Sequence, residues 1–395
     1  MAIEGSRQGG VGRRIRLGMV GGGRGAFIGA VHRIAARLDD RYELVAGALA
    51  SDPVRAKESA ADLHIAPDRA YGDFQAMVEG EKGREDRIDA VAIVTPNHVH
   101  HAPAKAFLEA GFHVICDKPL TNTLDDALDL VSTVRRTGQV FGLTHNYTGY
   151  PMIRQAREMI AAGELGEIRL IQAQYAQDWL ATKVEDTGLK QATWRTDPAR
   201  SGPAGCVGDI GTHAYNLAAF VSGMDCTHLA ADLSTFIEGR ALDDNAHMML
   251  RYANGARGML WASQVAVGNE NGLSLRIYGS KAGIEWHQEQ PNHLRFAIHG
   301  KPPQLITRNG PGAGDAAGRA SRVPSGHPEG YLEGFAQIYT DLAEQISARI
   351  EDRAPDPAAF LVPTVEDGAK GVKFIGAAVQ SSRENGAWVE TTLPL

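Results

Sequence analysis

Cysteine is scarce in this chain. Only Cys116, Cys206 and Cys226 occur among 395 residues, and they lie in separate segments. No CxxC pair is present, so the spacing of a zinc site is absent, and three scattered thiols do not make a disulfide framework. Reduced thiols are typical of a reducing compartment, and we therefore expect a cytoplasmic protein.

Long apolar runs are also lacking. No stretch approaches the roughly 20 apolar residues that a membrane-spanning helix needs. Arg13 and Arg14 run directly into an apolar, strand-like segment, without the apolar stretch and cleavage site of an export signal. Residues 1–12 are rich in glycine and polar residues, and we expect them to form a loose tail.

An excess of positive charge is absent as well, because the formal net charge is -7 and the isoelectric point is near 6.1. Nucleic acids and anionic membranes select basic surfaces, so neither is an expected partner. A hydrophobic content of 43% with 22% charged residues is ordinary for a globular enzyme of two or three domains.

The first half of the chain alternates short apolar runs with amphipathic stretches. The strand-like runs are IRLGMVG, YELVAGALA, IDAVAIVT, GFHVIC and QVFGLTH, and APAKAFLEAG is one of the helical stretches between them. Apolar strands that alternate with helices predict a parallel sheet covered on both faces. We therefore predict an α/β domain over residues 13–145.

The second half, residues 146–395, has longer strand-like runs and predicts an α+β domain with an open, mostly antiparallel sheet. Asn254-Gly255 is a strong hairpin signal, and residues 280–283 fit a second turn. Residues 301–328, rich in glycine and proline, are predicted as one long loop. Helices are predicted over residues 210–221, 331–349 and 365–383, and the last of these can pack on either half.

A glycine-rich segment, GMVGGGRGAFIGAVH, follows the first predicted strand and opens a helix. Gly21, Gly23 and Ala26 fit the GxGxxG/A spacing, in which the turn is tight, the backbone approaches a pyrophosphate and a small third residue lets the helix pack on the strand. Arg24 and Gly25 lie within the same turn. In this strand–turn–helix context the segment predicts a dinucleotide-binding Rossmann domain, although a merely flexible loop is the alternative.

The end of the second strand should select between NAD and NADP. An acid there binds both ribose hydroxyls of NAD, whereas a small residue with nearby cations admits the 2′-phosphate of NADP. Ala50 occupies the place of the acid in GALASDPVRAK, followed by Ser51 and Asp52. The cations Arg55 and Lys57, together with Tyr71, can cover a phosphate, which favours NADP. Asp52 can still reach the ribose, so both cofactors remain open.

The third strand-like run ends in a polar segment, TPNHVHH, whose residues are expected on the nicotinamide side of the cofactor. Asn97 and His98 can hydrogen-bond the ribose, and Thr95 and Pro96 belong to the same strand end. For His100 and His101 a surface loop is an equally good interpretation. No metal site is expected, because no carboxylate or cysteine pattern accompanies these histidines.

The fourth run ends in a lysine fixed by a proline, in VICDKPLTNT. Pro119 disfavours helix at the preceding residue, so Lys118 is held extended at the carboxyl end of the strand, next to Asp117. An ammonium beside a nicotinamide can stabilise a developing alkoxide or relay its proton. The alternative is a lysine whose charged end merely reaches solvent.

The segment GPAGCVGDIGTHAYN carries Asp209 and His213, which are four residues apart and share one face of the predicted helix. A neutral imidazole can accept a hydroxyl proton while a carboxylate orients it. The alternative from the residues alone is an acid favoured by the helix dipole and a packed histidine.

Three segments in this order, TPNHVH, CDKPLT and GDIGTHAYN, resemble the Gfo/Idh/MocA family of NAD(P)-dependent sugar and polyol dehydrogenases. The resemblance covers nearly the whole chain. It implies a Rossmann domain, an open-sheet domain that builds homodimers or homotetramers, Lys118 in the active site, His213 as general base, and Asp209 as its partner or a substrate ligand. The chain departs from the family at Asp117, where Glu is usual, and at Asn216, where many relatives have an acid.

Carbohydrate contacts are expected where aromatic and polar residues occur together. Asn146 and Tyr147 follow the last strand of the first half, which in relatives lies beside the nicotinamide. Further expected substrate contacts in the second half are Gln177, Trp194, Arg195 and Tyr331.

Three functions are compatible with these residues. The first is hydride transfer between NAD(P) and a ring hydroxyl of a sugar, glycoside or inositol. The second is a glycosidase that oxidises C3 transiently, eliminates the aglycone, adds water and reduces again without net redox change. The third, a cofactor-bound regulator without catalysis, is disfavoured because Lys118, Asp209 and His213 occur together.

Overall fold

The computed structural model describes residues 12–188 and 190–395. The expected tail, residues 1–12, therefore lies outside the described residues except for Gly12. Within the described ranges, no helix combines the length and the apolarity needed to cross a bilayer.

Fourteen strands and twelve α-helices occur in the described part of the chain. The strands are β1 (Ile15–Gly21), β2 (Tyr42–Ala48), β3 (Ala90–Val94), β4 (His113–Cys116), β5 (Phe141–Leu143), β6 (Ile168–Ala176), β7 (Cys226–Ser234), β8 (Asn245–Tyr252), β9 (Arg257–Ser263), β10 (Gly272–Gly279), β11 (Ala282–His287), β12 (His293–Ile298), β13 (Gln304–Thr307) and β14 (Val389–Glu390). The helices are α1 (Phe27–Leu38), α2 (Pro53–Asp62), α3 (Phe74–Lys82), α4 (His101–Glu109), α5 (Leu124–Thr137), α6 (Pro151–Ala161), α7 (Lys190–Arg195), α8 (Pro198–Ser201), α9 (Thr212–Ser222), α10 (Asp315–Ala320), α11 (Tyr331–Ile350) and α12 (Val365–Arg383).

The first compact unit contains a parallel sheet of five strands in the order β2-β1-β3-β4-β5. Every residue of β3, with the sequence AVAIV, is buried, as expected for a central strand covered on both faces. The five predicted strand-like runs thus correspond to the five strands, and the predicted α/β class of this half is confirmed.

Helix α11 belongs to the first unit, which comprises residues up to 121, 125–149 and 331–368. Its buried side chains, among them Phe335, Tyr339 and Leu342, join the core formed by β1 and α1. The sequence analysis placed this helix in the second domain, so that boundary needs correction. An amphipathic pattern shows which helix face is buried but not which sheet buries it.

The second unit is built on a nine-stranded sheet in the order β13-β12-β11-β10-β6-β9-β8-β7-β14. All neighbouring pairs are antiparallel except β6 and β9, which confirms the predicted mostly antiparallel sheet. Asn254-Gly255 connects β8 to β9, and residues 280–281 connect β10 to β11, as predicted. Helix α9 covers β6 and β10 on one face of this sheet.

Residues 301–328 are not one long loop, contrary to the sequence prediction. They contain β13, which pairs with β12 at the sheet edge, and the short helix α10. A four-residue strand flanked by proline and glycine has no periodicity to detect, and its pairing with β12 supplies the stabilisation. The last helix, α12, lies with the second unit from residue 369 onward.

Candidate active site

The glycine-rich turn between β1 and α1 has the predicted strand–turn–helix form. Gly21 ends β1 with φ of 79°, a conformation that favours glycine. A Cβ at Gly23 would lie 2.6 Å from the carbonyl oxygen of Leu49, so only glycine fits there. The sequence predicted that the helix would pack closely on the preceding strand at Ala26. The close contact occurs instead at Gly29, where a Cβ would lie 2.4 Å from the Cα of Gly22. Ala26 precedes the helix as its N-cap.

Two residues near the end of β2 that were expected to bind the cofactor, Asp52 and Arg24, are bonded to residues of α2. Asp52 caps α2 and accepts a hydrogen bond from the backbone N–H of Arg55 at 2.8 Å. The guanidinium of Arg24 is paired with carboxylates of α2, and its Nη2 lies 2.8 Å from Oδ1 of Asp62. This pairing holds the pKa of Asp62 below its usual range. Ser51 is exposed beside this cluster.

Tyr71 is bonded to a buried acid, and its expected contact with a phosphate stays a prediction. Its hydroxyl donates to Oε1 of Glu81 at 2.9 Å, and that buried carboxylate also accepts from Nε of Arg69 at 3.0 Å. Burial, followed by the bond to Glu81, raises the pKa of Tyr71 to about 12. The hydroxyl is therefore part of an internal polar cluster.

The polar segment after β3 is fixed by a buried histidine. Nδ1 of His100 lies 2.9 Å from the carbonyl oxygen of Pro119, and Nε2 lies 2.8 Å from that of Thr95. His100 thus connects the ends of β3 and β4, and the surface-loop interpretation does not hold for it. Asn97 is buried, whereas His98 and Pro96 are exposed.

His101 lies on α4 and pairs with an acid, its Nε2 being 2.7 Å from Oδ2 of Asp129. Within residues 12–188 and 190–395 no group of three or more histidine, cysteine or acidic residues could hold a metal ion.

Lys118 follows β4, and its backbone is held by the side chain of Asp117. Oδ1 of Asp117 accepts from the backbone N–H of Lys118 at 3.0 Å and from the hydroxyl of Thr144 at 2.8 Å. The Lys118-Pro119 peptide bond is cis. The carboxylate of Asp117 is therefore bonded to neighbours within the unit, and its expected contact with the cofactor stays a prediction.

A buried histidine that the sequence analysis missed, His32, lies next to the carboxylate of Asp117. Its Nε2 lies 3.8 Å from Oδ1 of Asp117, and its Nδ1 lies 2.7 Å from the hydroxyl of Tyr339. Burial alone would raise the pKa of Asp117, but His32 and Lys118 outweigh it and hold that pKa far below its ordinary range. Asp117 is therefore an ionised carboxylate next to Lys118.

The segment after β5 brings three expected residues together. Asn146 is buried, and no acceptor for its Nδ2 lies within hydrogen-bonding distance among the described residues. The rings of Tyr147 and Tyr331 are packed edge to face with centroids 6.4 Å apart. Both tyrosines belong to the first unit.

Two buried histidines of the first unit predict a pH dependence of stability. Burial, followed by the charge of Lys118, lowers the pKa of His145 to about 3, and burial lowers that of His113 to about 4. Unfolded histidine protonates near pH 6.5, so between about pH 6.5 and 4 the unfolded chain binds more protons than the folded one. The free energy of unfolding should fall as the pH falls through this window, by up to about 1.4 kcal/mol per pH unit for each histidine. Denaturant unfolding at pH 7, 6 and 5 measures the slope.

The variant His145→Gln should have a shallower slope than the unmodified protein. A free energy of unfolding that stays constant or rises between pH 7 and pH 5 would contradict this prediction.

In the second unit, Asp209 lies in a π-helical turn, Val207–Gly211, and His213 lies at the start of α9. The turn is anchored by Asp243, whose carboxylate accepts from the backbone N–H of Gly205 at 2.6 Å and of Val207 at 3.0 Å. Asp209 and His213 are thereby held on a segment that is fixed to Asp243, which precedes β8.

Two side chains hold Asp209. Nε2 of Gln264 donates to its Oδ2 at 2.9 Å, and Nε of Arg195 lies 3.2 Å from the same oxygen. Arg195 also stacks over Trp194, its guanidinium carbon lying 4.4 Å from the ring centroid. Arg195 is therefore an ion-pair partner of Asp209, and its expected contact with substrate stays a prediction. Gln264 was not predicted.

His213 is buried against Tyr175 of β6, with ring centroids 6.1 Å apart. Oδ1 of Asn271 accepts from the Tyr175 hydroxyl at 2.6 Å and from Nε2 of Gln177 at 2.9 Å. Oε1 of Gln177 accepts in turn from the indole N–H of Trp179 at 3.1 Å. Gln177 was predicted, whereas Asn271 and Trp179 were not. Amide, hydroxyl and indole groups of this kind bind sugar hydroxyls and ring faces.

Both parts of the chain match domains of known proteins. Residues 15–145 match the model of an oxidoreductase family with an NAD-binding Rossmann fold, and residues 153–285 match the GFO/IDH/MocA C-terminal domain. A crystal structure of an oxidoreductase from Sinorhizobium meliloti is 55% identical, covers 95% of this chain and 99% of that chain, and has a TM-score of 0.87.

Two further relatives are named as dehydrogenases of a cyclic polyol or a sugar. An inositol dehydrogenase homolog from Azotobacter vinelandii, crystallised with NADH and myo-inositol, is 38% identical, with 96% of this chain and 98% of that chain covered and a TM-score of 0.89. Levoglucosan dehydrogenase from Pseudarthrobacter phenanthrenivorans is 29% identical over 72% of this chain and 77% of that protein.

Proposed function

Because the chain belongs to the GFO/IDH/MocA family of NAD-binding oxidoreductases, we propose that it transfers a hydride between NAD and a ring hydroxyl or keto group of a sugar, glycoside or inositol. The observation that carries the proposal is the position of Lys118, two residues after β4 of the dinucleotide-binding sheet. In such sheets the carboxyl ends of the strands border the cofactor. The inositol dehydrogenase homolog and levoglucosan dehydrogenase support a cyclic polyol or sugar as substrate.

The first unit fits a dinucleotide. The glycine turn between β1 and α1 has the strand–turn–helix form in which backbone N–H groups meet a pyrophosphate, and the Nδ2 of Asn146 is a buried donor that a ligand oxygen can satisfy. NAD, when bound, accepts the hydride that leaves the carbinol carbon. NAD is favoured over NADP because Arg24 is already paired with carboxylates of α2, with which a 2′-phosphate would have to compete.

In this proposal two side chains, Lys118 and His213, react with the substrate. The ammonium of Lys118 bonds the substrate oxygen and stabilises the alkoxide as it forms. The imidazole of His213 takes the hydroxyl proton, and Asp209 orients the imidazole or the substrate. In the reverse direction, His213 returns the proton to the oxygen of a keto-sugar.

The proposal is tested by following absorbance of the reduced nicotinamide. The purified protein is given NAD or NADP with a panel of sugars, inositols and aryl glycosides, while aglycone release is followed in parallel. Reduced NAD that accumulates in step with substrate loss is the expected result, with a lower rate for NADP. Aglycone release without net reduction would replace the dehydrogenase by the redox-neutral glycosidase.

We further propose that the outer face of the nine-stranded sheet binds a second copy of this chain. Leu170, Met249, Met259 and Tyr278 are exposed on this face by 36% or more of their surface. Met249 and Met259 are paired across β8 and β9, so their side chains form one continuous apolar area. An apolar face of this kind is typical of an interface between subunits.

Replacing both methionines, as Met249→Glu with Met259→Glu, should convert the assembly to monomers, because four carboxylates per dimer would be moved from water into an apolar interface. Light scattering coupled to size-exclusion chromatography measures the mass. Phe236→Glu, at an exposed position outside the nine strands, is the control and should leave the mass unchanged. A monomeric unmodified protein would refute the proposal.

A further inference from the structure

A cavity of about 530 Å³ lies in the second unit between two segments that the proposed chemistry does not use. One is the turn from β11 to β12, and the other precedes α11. The cavity is lined by Gln288, Glu289, Gln290, Asn292, His293 and Glu329, with prolines and a glycine between them. Its volume is within the range of about 300–1,000 Å³ that is usual for small-molecule sites.

The walls of this cavity are fixed by hydrogen bonds. Nδ2 of Asn292 donates to the carbonyl oxygen of Glu329 at 2.8 Å, and the backbone N–H of Glu329 donates back to Oδ1 of Asn292 at 3.2 Å. Arg308 joins both sides, with Nε 2.8 Å from Oδ1 of Asn292 and Nη1 3.0 Å from Oε1 of Glu329. The cavity is therefore built before a ligand arrives, which reduces the entropy that binding must offset.

One oxygen in the wall has no donor. Glu329 is only 5% exposed, and its Oε1 accepts from the backbone N–H groups of Arg322 at 2.6 Å and Val323 at 2.8 Å. Its Oε2 is buried without a hydrogen-bond partner among the described residues. A buried carboxylate oxygen without a donor is costly, and a ligand that supplies a hydroxyl, with a small shift of the wall, removes that cost.

The cavity and the polar cluster beside His213 lie at the same end of the strands of this sheet. Strand β10 is antiparallel to both β6 and β11, and its first residues pair with the last residues of each. The segments that follow β6 and β11 therefore lie at the same end of the sheet. The backbone N–H of Asn271, which belongs to the Tyr175 and Gln177 cluster, donates to Oε1 of Glu289 at 2.9 Å. Two strand spacings separate β6 from β11, which is about 10 Å and longer than one pyranose ring.

We propose that this cavity is a second carbohydrate subsite, so that the substrate is a glycoside or disaccharide whose reacting ring lies at the His213 cluster and whose second unit fills the cavity. The assignment rests on the proposed dehydrogenase function. The amides of Gln288 and Gln290 offer donors and acceptors to hydroxyls, as carbohydrate sites require, and the residues that line the cavity include no lysine or arginine of the kind that a phosphate would need.

The test compares kcat/KM for a free monosaccharide with that for disaccharides and glycosides of the same reacting sugar. The unmodified enzyme should prefer the two-unit substrates. His293→Ala and Gln290→Ala should lower kcat/KM for those substrates about fivefold or more, since each removes a hydrogen-bonding group, and should leave the monosaccharide value unchanged. His287→Ala, an exposed histidine outside the cavity, is the matched control.

Equal kcat/KM values for one-unit and two-unit substrates, or equal losses on both in the two variants, would overturn the subsite and leave the dehydrogenase intact. Absence of turnover with every carbohydrate would overturn the proposed function instead. In that event calorimetry with the NADH-loaded protein decides the subsite separately. Tighter binding of the disaccharide, weakened by His293→Ala, supports it, and equal affinities refute it.

Discussion

Replacing the lysine after β4, as Lys118→Met, should lower kcat by about 100- to 10,000-fold while the Kd for NADH changes little. Methionine keeps the length of the side chain and removes its charge. The backbone at this position is held by Asp117 and not by the ammonium, so the strand end should retain its geometry. Loss of the ammonium leaves the developing alkoxide without its cation. Steady-state kinetics and NADH fluorescence titration measure the two quantities.

The matched control is Lys105→Met, which removes the same charge from a surface lysine of α4 that pairs with Asp129. Its kcat should stay within about twofold of the unmodified protein, because a surface ion pair contributes little. If Lys118→Met turned over normally and bound NADH normally, Lys118 would be excluded from the chemistry and the proposed role of its ammonium would be abandoned.

The first unit was predictable because its signals are local. The buried run AVAIV of β3 and the glycine turn after β1 each occupy a few consecutive residues, and the fold follows from their order. Helix α11 was misplaced because its contacts with α1 join segments about 300 residues apart, such as His32 and Tyr339. The hydrophobic pattern of a helix shows which of its faces is buried but does not identify a packing partner so distant along the chain.

The same limit applies to the site. Lys118, Asp209 and His213 stand within short motifs and were predicted, although their roles are proposals. Gln264, which holds Asp209, is 55 residues away along the chain and has no motif of its own. Asp117 shows a second limit, because a sequence places its carboxylate at the strand end but does not give the side chain's direction. Only its bonds to Thr144 and to the backbone show that it faces inward.

Replacing the histidine of the second unit, as His213→Gln, should lower kcat for oxidation by about 100- to 10,000-fold. Glutamine retains a hydrogen-bonding amide of similar size but cannot accept a proton. The surrounding contacts, the ring of Tyr175 and the anchored turn that carries Asp209, do not depend on the imidazole's basicity. Kinetics as a function of pH give a second readout. The unmodified enzyme should lose oxidation activity at low pH, where a protonated imidazole cannot act as a base, and the variant should lose this dependence.

The control for this variant is His228→Gln, the same substitution at an exposed histidine of β7 in the same unit. It should leave both kcat and the pH profile unchanged. A purely packing role for His213 predicts a different pattern, in which His213→Gln lowers stability and kcat together while the residual activity keeps the original pH dependence. The shape of the pH profile, independent of the size of the loss, therefore separates a general base from a packed core histidine, the two interpretations that the sequence alone left equal.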